Sequence, residues 1–314
     1  MSAVNRPIAV AIGNANIIDA LGPVEGAEIT LWDLDTPSPR TDWDLVVPPY
    51  LRGPEVLEAL RGVRVGLVQS QSIGYNGVAE HLEPGVPFAN AATVHETSTA
   101  ELAVGLAIAS QRAIPEFVRS ADAHRWEPLF RSSLADRRVL IVGYGGVSKA
   151  IDARLRPFEV GIVRVARTAR ETPGSDGQPV AVHGIDELPG LLPSTEIVIL
   201  TLPGGDATRH IIGESELAAL PDGALVVNVG RGPLIDTDAL VRHTAAGRLR
   251  AALDVTDPEP LPPGHPLWSS PGVLISPHVG GDSSAMHPRI AALVRRQIAH
   301  LLAGEEPENI VVRT

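Results

Sequence analysis

The sequence contains no cysteine. Disulfides, thiolate zinc sites and cysteine nucleophiles are excluded, no metal site is expected, and a reducing cytoplasm is the compartment that fits. Basic residues are also in short supply: 26 Lys and Arg stand against 37 Asp and Glu, for a formal net charge of -11. A non-specific nucleic-acid binder needs a basic footprint, so no nucleic-acid partner is expected. An anionic substrate would need a local positive site set against the overall field. Long apolar runs are missing as well. The longest helical apolar stretch, Ala100 to Ala109, contains Glu101 and falls far short of a membrane span. The N-terminal segment carries a short apolar patch broken by Gly13, Asn14 and Asn16, without a cleavage pattern, so neither a signal peptide nor a membrane partner is expected. No internal repeat or low-complexity tract stands out.

What is present is alternation. The 314 residues, 44% hydrophobic and 20% charged, have an ordinary globular composition and are too many for one ordinary core, which suits two domains. Short runs of Val, Ile and Leu alternate with helical stretches, the signature of βαβ units and a parallel sheet. The expected strands are Ile8–Ile12, Leu45–Val47, Val63–Val68, Val139–Val142, Ile162–Ala166, Ile197–Thr201, Ala224–Asn228, Ala251–Asp254 and Val273–Ser276. They fall into two groups, the second beginning at Val139 after a polar connection around Arg131–Arg138. Between the groups, Ser98–Arg119 reads as one long helix crossing between domains. The tail from Pro288 to Gly304 reads as an amphipathic helix, with Ile290, Leu293, Val294, Ile298, Leu301 and Leu302 spaced three or four apart.

The segment from Val139 to Ser148 is a strand, a glycine turn and a helix start, with Gly143 and Gly145 at the first two glycine positions of a dinucleotide fingerprint. The first glycine permits a tight turn; the second lets the backbone approach a pyrophosphate that free amides at the helix N-terminus would meet. Ser148 takes the third position and is small enough for helix–strand packing. A Gly-rich turn without a ligand is the plain alternative, and the strand-before, helix-after context favours binding. The next strand normally ends in a carboxylate for the NAD ribose. Here Arg167, Thr168, Ala169 and Arg170 follow instead. A carboxylate would repel a 2′-phosphate, whereas Arg167, Thr168 and Arg170 suit one, so NADP(H) is expected over NAD(H). A solvated basic turn is the competing reading.

Three residues each follow an expected strand of the second group: Arg231 between Gly230 and Gly232, Glu259 between Pro258 and Pro260, and His278 after Pro277. Singly, they read as a surface charge, a loop acid and a capping histidine. Together, an arginine, an acid and a histidine at neighbouring strand ends can fix an anion and move a proton.

These residues carry a resemblance. Leu202 and Pro203, Thr208, the run Asn228 to Asp236, Ala251 to Val255, Pro258 to Leu261, His265 to Trp268 and Ser276 to Gly281 resemble the D-isomer-specific 2-hydroxyacid dehydrogenase family almost continuously. Ala100 to Ala103 and the glycine loop agree too. The likeness spans roughly Asn90–Ser284, and Met1–Pro49 matches poorly. Departures are Ser148 at the third glycine, and Ala135 and Asp136 where a glycine is frequent.

The resemblance implies an α/β protein of two domains, a Rossmann-type doubly wound parallel sheet inserted in a flavodoxin-like substrate domain: residues 1–94 with 285–314 for substrate, 95–284 for the dinucleotide, the site in a cleft between them. It implies hydride transfer between NAD(P)H and a 2-oxo or D-2-hydroxy acid, of the NADP-preferring glyoxylate/hydroxypyruvate reductase kind, in a homodimer whose contact surface is the interdomain helical region. By motif, Arg231 binds the carboxylate and polarises the 2-oxo group, His278 is the acid/base, and Glu259 orients the imidazole and favours its protonated form. The cofactor falls to Gly143, Tyr144, Gly145, Gly146, Val147, Arg167, Thr168, Arg170, Leu202, Pro203, Thr208, Val229, Gly230, Asp254, His278 and Gly280, with Asp254 on the nicotinamide carboxamide and Thr99 nearby. Ser72, Ile73 and Gly74 form the substrate loop, an amide nest suited to an anion. Asn14, Tyr50 to Arg52, Tyr75, Trp268 and Met286 are the expected sources of the substrate side-chain pocket. Two rivals share the scaffold: a nicotinamide-sensing, corepressor-like regulatory protein, for which no extra interaction segment is visible, and a formate- or phosphite-type dehydrogenase.

Overall fold

A computed structural model describes residues 6–313. The chain divides into two compact units, Met1–His95 with Ser283–Thr314, and Glu96–Asp282. The second unit is therefore an insertion in the first.

The sheet of the first unit has six strands in the spatial order Ile310–Arg313, Pro87–Ala89, Val68–Gln69, Leu45–Val47, Ile8–Ile12 and Ala27–Leu31. All neighbours are parallel except the first pair. Counted along the chain, the five parallel strands lie 5-4-3-1-2, the flavodoxin-like order. Ile8–Ile12 is buried at every position, as a central parallel strand covered on both faces must be. The tail helix, Met286–Ala303, turns Ile290, Leu293, Val294, Ile298 and Leu301 into this core and ends at Gly304 in the left-handed region, where glycine costs nothing. Met286, weighed as a pocket residue, is buried in the same core. The strand expected over Val63–Val68 is two: Arg64–Val65 pairs with Asp42–Trp43, and Val68–Gln69 joins the main sheet. The break falls at Gly66 and Leu67; a Cβ on Gly66 would stand 2.8 Å from the Asp44 carbonyl oxygen.

The second unit holds eight strands in the order Arg170–Pro173, Pro179–Gly184, Gly161–Ala166, Arg138–Val142, Ile197–Leu200, Leu225–Asn228, Arg250–Leu253 and Val273–Ile275. Every pairing is parallel except the outermost, Arg170–Pro173 against Pro179–Gly184. Each of the two large sheets thus carries an antiparallel edge strand that the expectation of parallel sheets lacked. The strand order reverses between Arg138–Val142 and Ile197–Leu200, and crevices for ligands form at the carboxyl ends of strands at such a switch point. The helix expected over Ser98–Arg119 is two helices, Glu96–Gln111 and Ile114–Asp122, both inside the second unit rather than crossing between units. Ala113 between them has φ +55°, and Pro115, which lacks an amide hydrogen, opens the second helix. No described helix is long and apolar enough to cross a membrane.

Candidate active site

Gly143 follows the strand Arg138–Val142 with φ +98°, and a Cβ there would meet Thr201 Oγ1 at 2.7 Å. Only glycine fits that approach. At Gly145 nothing lies within 4 Å of where a side chain would begin, so the backbone face is open just ahead of the helix Gly146–Leu155. The amides that start this ten-residue helix have no intrahelical acceptor. An open backbone face before free helix amides fits a pyrophosphate. Ser148 is buried and shares a 2.6 Å hydrogen bond with Thr201 Oγ1, the atom that crowds Gly143. The third glycine position therefore tolerates a serine because its hydroxyl finds a partner between helix and sheet. Thr208 Oγ1 donates to the Pro203 carbonyl at 2.8 Å and orders the turn after the next strand. Leu202 borders both Gly143 and Gly230, and Val229 is buried between strand and turn.

At the end of Gly161–Ala166, Arg167 and Thr168 are exposed and no carboxylate stands in their place. Arg170 is engaged: its guanidinium donates to the Thr168 carbonyl at 3.2 Å and to the Tyr144 carbonyl at 3.4 Å. Behind the glycine loop lies a buried ionic cluster invisible in the sequence. Asp152 is 0% exposed and accepts from Tyr144 Oη at 2.7 Å, from Arg156 Nε at 3.0 Å and from Arg164 Nε. Burial pushes its carboxyl up, but the three donors, Arg164 foremost, outweigh it and hold the group below the usual carboxylate range. Tyr144 moves the other way: burial and the neighbouring Asp152 keep its hydroxyl protonated, as a donor.

Arg231, Glu259 and His278 come from three successive strand ends of the second unit. Arg231 sits where two glycines are required by close approach. A Cβ on Gly230 would lie 2.7 Å from the Leu202 carbonyl oxygen, and one on Gly232 only 1.8 Å from that of Thr256. Asn228, fully buried, holds this turn from both sides, accepting from the Gly230 amide at 3.0 Å and donating to the Arg231 carbonyl at 2.9 Å. His278 Nδ1 lies 2.5 Å from Glu259 Oε1. Burial raises the Glu259 carboxyl, and the His278 bond, the Thr256 backbone and the charge of Arg231 outweigh it, so Glu259 is held below its ordinary value. An ionised carboxylate can only accept. Nδ1 therefore donates, and Nε2 is the ring nitrogen that Glu259 does not engage. His278 adopts φ +53°, an uncommon backbone for a histidine, and it is over-determined. Its amide donates to the Asp254 carbonyl at 2.8 Å, and the Asp254 carboxylate accepts from Ser276 Oγ at 2.7 Å and from the amides of Val279 and Gly280, each at 2.9 Å. Asp254 is thus the buried organiser of the histidine loop. A Cβ on Gly280 would meet that carboxylate at 2.9 Å and Thr99 at 3.3 Å.

In the first unit, the loop from Ser70 to Gly74 has every carbonyl from 70 to 73 tied inward. Gln69 Nε2 donates to Ser70, His95 Nε2 to Gln71 at 2.6 Å, the Ala91 amide to Ser72, and Asn90 Nδ2 to Ile73. The Ser72 amide donates to Ser70 Oγ at 2.9 Å, so this residue is committed to the loop itself. With the carbonyls turned in, the amides of Ile73 and Gly74 are presented to the other side. A pocket of about 120 Å³ in this unit is bordered by Pro48, Leu51, Arg52, Gln71, Gly74 and Tyr75. Arg52 is paired there with Asp35. Trp268, weighed for the same role, is half exposed in the second unit, its indole donating to the Pro262 carbonyl.

The model of the D-isomer specific 2-hydroxyacid dehydrogenase NAD-binding domain matches residues 104–280. A glyoxylate reductase of Thermofilum pendens is 31% identical over 267 residues, 82% of this chain and 77% of that protein. A D-isomer specific 2-hydroxyacid dehydrogenase from Xanthobacter autotrophicus, solved with NADPH and MES, superposes with TM-score 0.78 at 26% identity and covers 98% of both chains. An NADPH-dependent glyoxylate/hydroxypyruvate reductase from Sinorhizobium meliloti, solved with NADP and malonate, has TM-score 0.78 at 25% identity, over 99% of this chain and 98% of that one.

Proposed function

The chain belongs to the D-isomer specific 2-hydroxyacid dehydrogenase family, NAD(P)-dependent oxidoreductases of 2-oxo and 2-hydroxy acids, and on that premise we propose that it reduces a small 2-oxo acid with NADPH, with His278 as the proton donor. The observation that carries this reading is the His278–Glu259 contact, beside the charge of Arg231. The Glu259 carboxylate holds Nδ1 as a donor and stands as the counter-charge to an imidazolium, the form in which Nε2 has a proton to give to a carbonyl oxygen. Arg231 supplies the local cation that a carboxylate needs in a chain of net charge -11, with a planar fork that matches it. In the first unit, anion recognition falls to the amides of Ile73 and Gly74.

The cofactor, when bound, supplies the hydride. The glycine loop and the helix amides behind it suit its pyrophosphate, while Arg167 and Thr168 suit a 2′-phosphate better than a bare ribose. Asp254 keeps acceptor capacity beyond its three protein donors, enough for a carboxamide N–H. Glyoxylate- and hydroxypyruvate-sized acids are the substrates proposed, after the relatives' activities. The chain is further proposed to act as a homodimer in the cytoplasm. Exposed apolar side chains support the dimer: Ile114 and Val118 on the helix Ile114–Asp122, and Trp126 and Phe130 beyond it in sequence, 96% and 100% exposed.

His278→Ala tests the chemistry. Turnover is expected to fall about 10³-fold, the worth of a placed acid/base, with NADPH affinity nearly intact. A rate within a few-fold of the parent removes His278 from the reaction.

A further inference from the structure

Tyr144 joins four pieces of the second unit. Its backbone lies in the glycine loop. Its ring packs with Ala166, at the end of one strand, and with Val182, in the strand that pairs Arg170. Its hydroxyl reaches Asp152, in the second turn of the helix after the loop, and Arg164 lies 5.8 Å above its ring. Its carbonyl receives Arg170, whose other arm holds the Thr168 carbonyl. Arg170 therefore bridges the glycine loop to the turn that carries Arg167, and Tyr144 fixes one end of that bridge. The buried Asp152, held by three donors, anchors the whole against movement. An uncompensated buried charge is costly, so these four side chains stand or fall together.

A dinucleotide with a 2′-phosphate gains a contact at the Arg167 turn that one without it lacks, while both place the pyrophosphate at the glycine loop. A ligand held at the loop and the turn together depends on the spacing between them; one not held at the turn does not.

We propose that Tyr144, Asp152 and Arg170 form a brace that sets the spacing between the glycine loop and the Arg167 turn, and that this spacing is what lets the protein distinguish NADPH from NADH. Arg170 acts in it as a fork across two carbonyls, not as a phosphate ligand. This rests on the NADPH reading given above. Tyr144 and Arg170 are positioning residues, acting through Arg167.

The test is titration calorimetry of the full chain with NADPH and with NADH, for the parent, Arg167→Ala, Tyr144→Phe and Arg170→Lys. Arg167→Ala lowers the NADPH-over-NADH affinity ratio about tenfold by removing a charge-assisted contact. Tyr144→Phe removes one hydroxyl and lowers the ratio about fivefold, chiefly by weakening NADPH. Arg170→Lys keeps a cation within reach of a phosphate but loses the fork, and is expected to lower the ratio as Tyr144→Phe does. Arg170 is exposed, so this variant reads the brace even where Tyr144→Phe misfolds. A ratio preserved in Arg170→Lys makes that residue a simple charge and overturns the brace. So does a Tyr144→Phe protein that loses NADPH and NADH affinity by the same factor. An unchanged ratio in Arg167→Ala contradicts the 2′-phosphate reading itself and takes the brace with it.

Discussion

Glu259 stands between Pro258 and Pro260 with three groups favouring its charge: the His278 ring, the Thr256 backbone and Arg231. Its carboxyl is lowered, so whatever this pair adds to stability is present above the ordinary carboxylate range and lost as the pH falls through the depressed value. At neutral pH it is ionised and holds a proton on the histidine side. Glu259→Gln keeps the shape and removes the charge. The variant is expected to reduce substrate about 10²-fold more slowly, with NADPH affinity in titration calorimetry nearly unchanged. A normal rate would leave Glu259 a loop residue. Arg231, Glu259 and His278 could be picked out in the sequence because each lies in a short pattern at the end of an apolar run. Asn228, Asp152 and His95 could not. Asn228 reads as the last residue of a strand, Asp152 as one more polar position on a helix, and His95 as a loop residue. Each gains meaning only from a partner that the fold brings: the Arg231 turn, Tyr144 and Arg164, and the Gln71 carbonyl.

At the scale of elements, the glycines around Arg231 are set by neighbouring strand ends rather than by the turn alone. Gly232→Ala would put a methyl 1.8 Å from the Thr256 carbonyl oxygen, so the turn or the Thr256 segment must shift. A loss of about 3 kcal/mol, in the range of overpacked sites, is expected in urea unfolding, together with a raised KM for the oxo acid. A variant as stable and active as the parent would mean that the turn yields freely. The strands that the sequence shows are unbroken apolar runs, such as Ile8–Ile12 and Ile197–Leu200, because a parallel strand buried on both faces must be apolar throughout. Those it does not show are at edges or bounded by proline. Ala27–Leu31 and Ile310–Arg313 are only partly buried, Pro87–Ala89 and Pro179–Gly184 open on proline, and the hairpin strand Arg170–Pro173 is largely exposed. The spacing of apolar residues continues past Ala113 and so suggests one helix, while Pro115 interrupts the hydrogen bonding.

For the molecule as a whole, the net charge of -11 and the exposed rings of Trp126 and Phe130 make separate demands. Two large aromatic rings left in water are a liability for a lone chain, and a second copy is the occupant proposed. Analytical ultracentrifugation is expected to find a dimer for the parent, and Trp126→Ser with Phe130→Ser to shift it toward monomer. A parent that sediments as a monomer at micromolar concentration would contradict the dimer. The function of the molecule is tested most directly by the absorbance of NADPH, and separately of NADH, with glyoxylate, hydroxypyruvate, pyruvate and phenylpyruvate. The expected result is consumption of NADPH with at least one of the first two acids, faster than of NADH. Tight NADPH binding with no consumption in the presence of any of the four would contradict a reductase of small 2-oxo acids and favour a nicotinamide-sensing regulatory protein on the same scaffold.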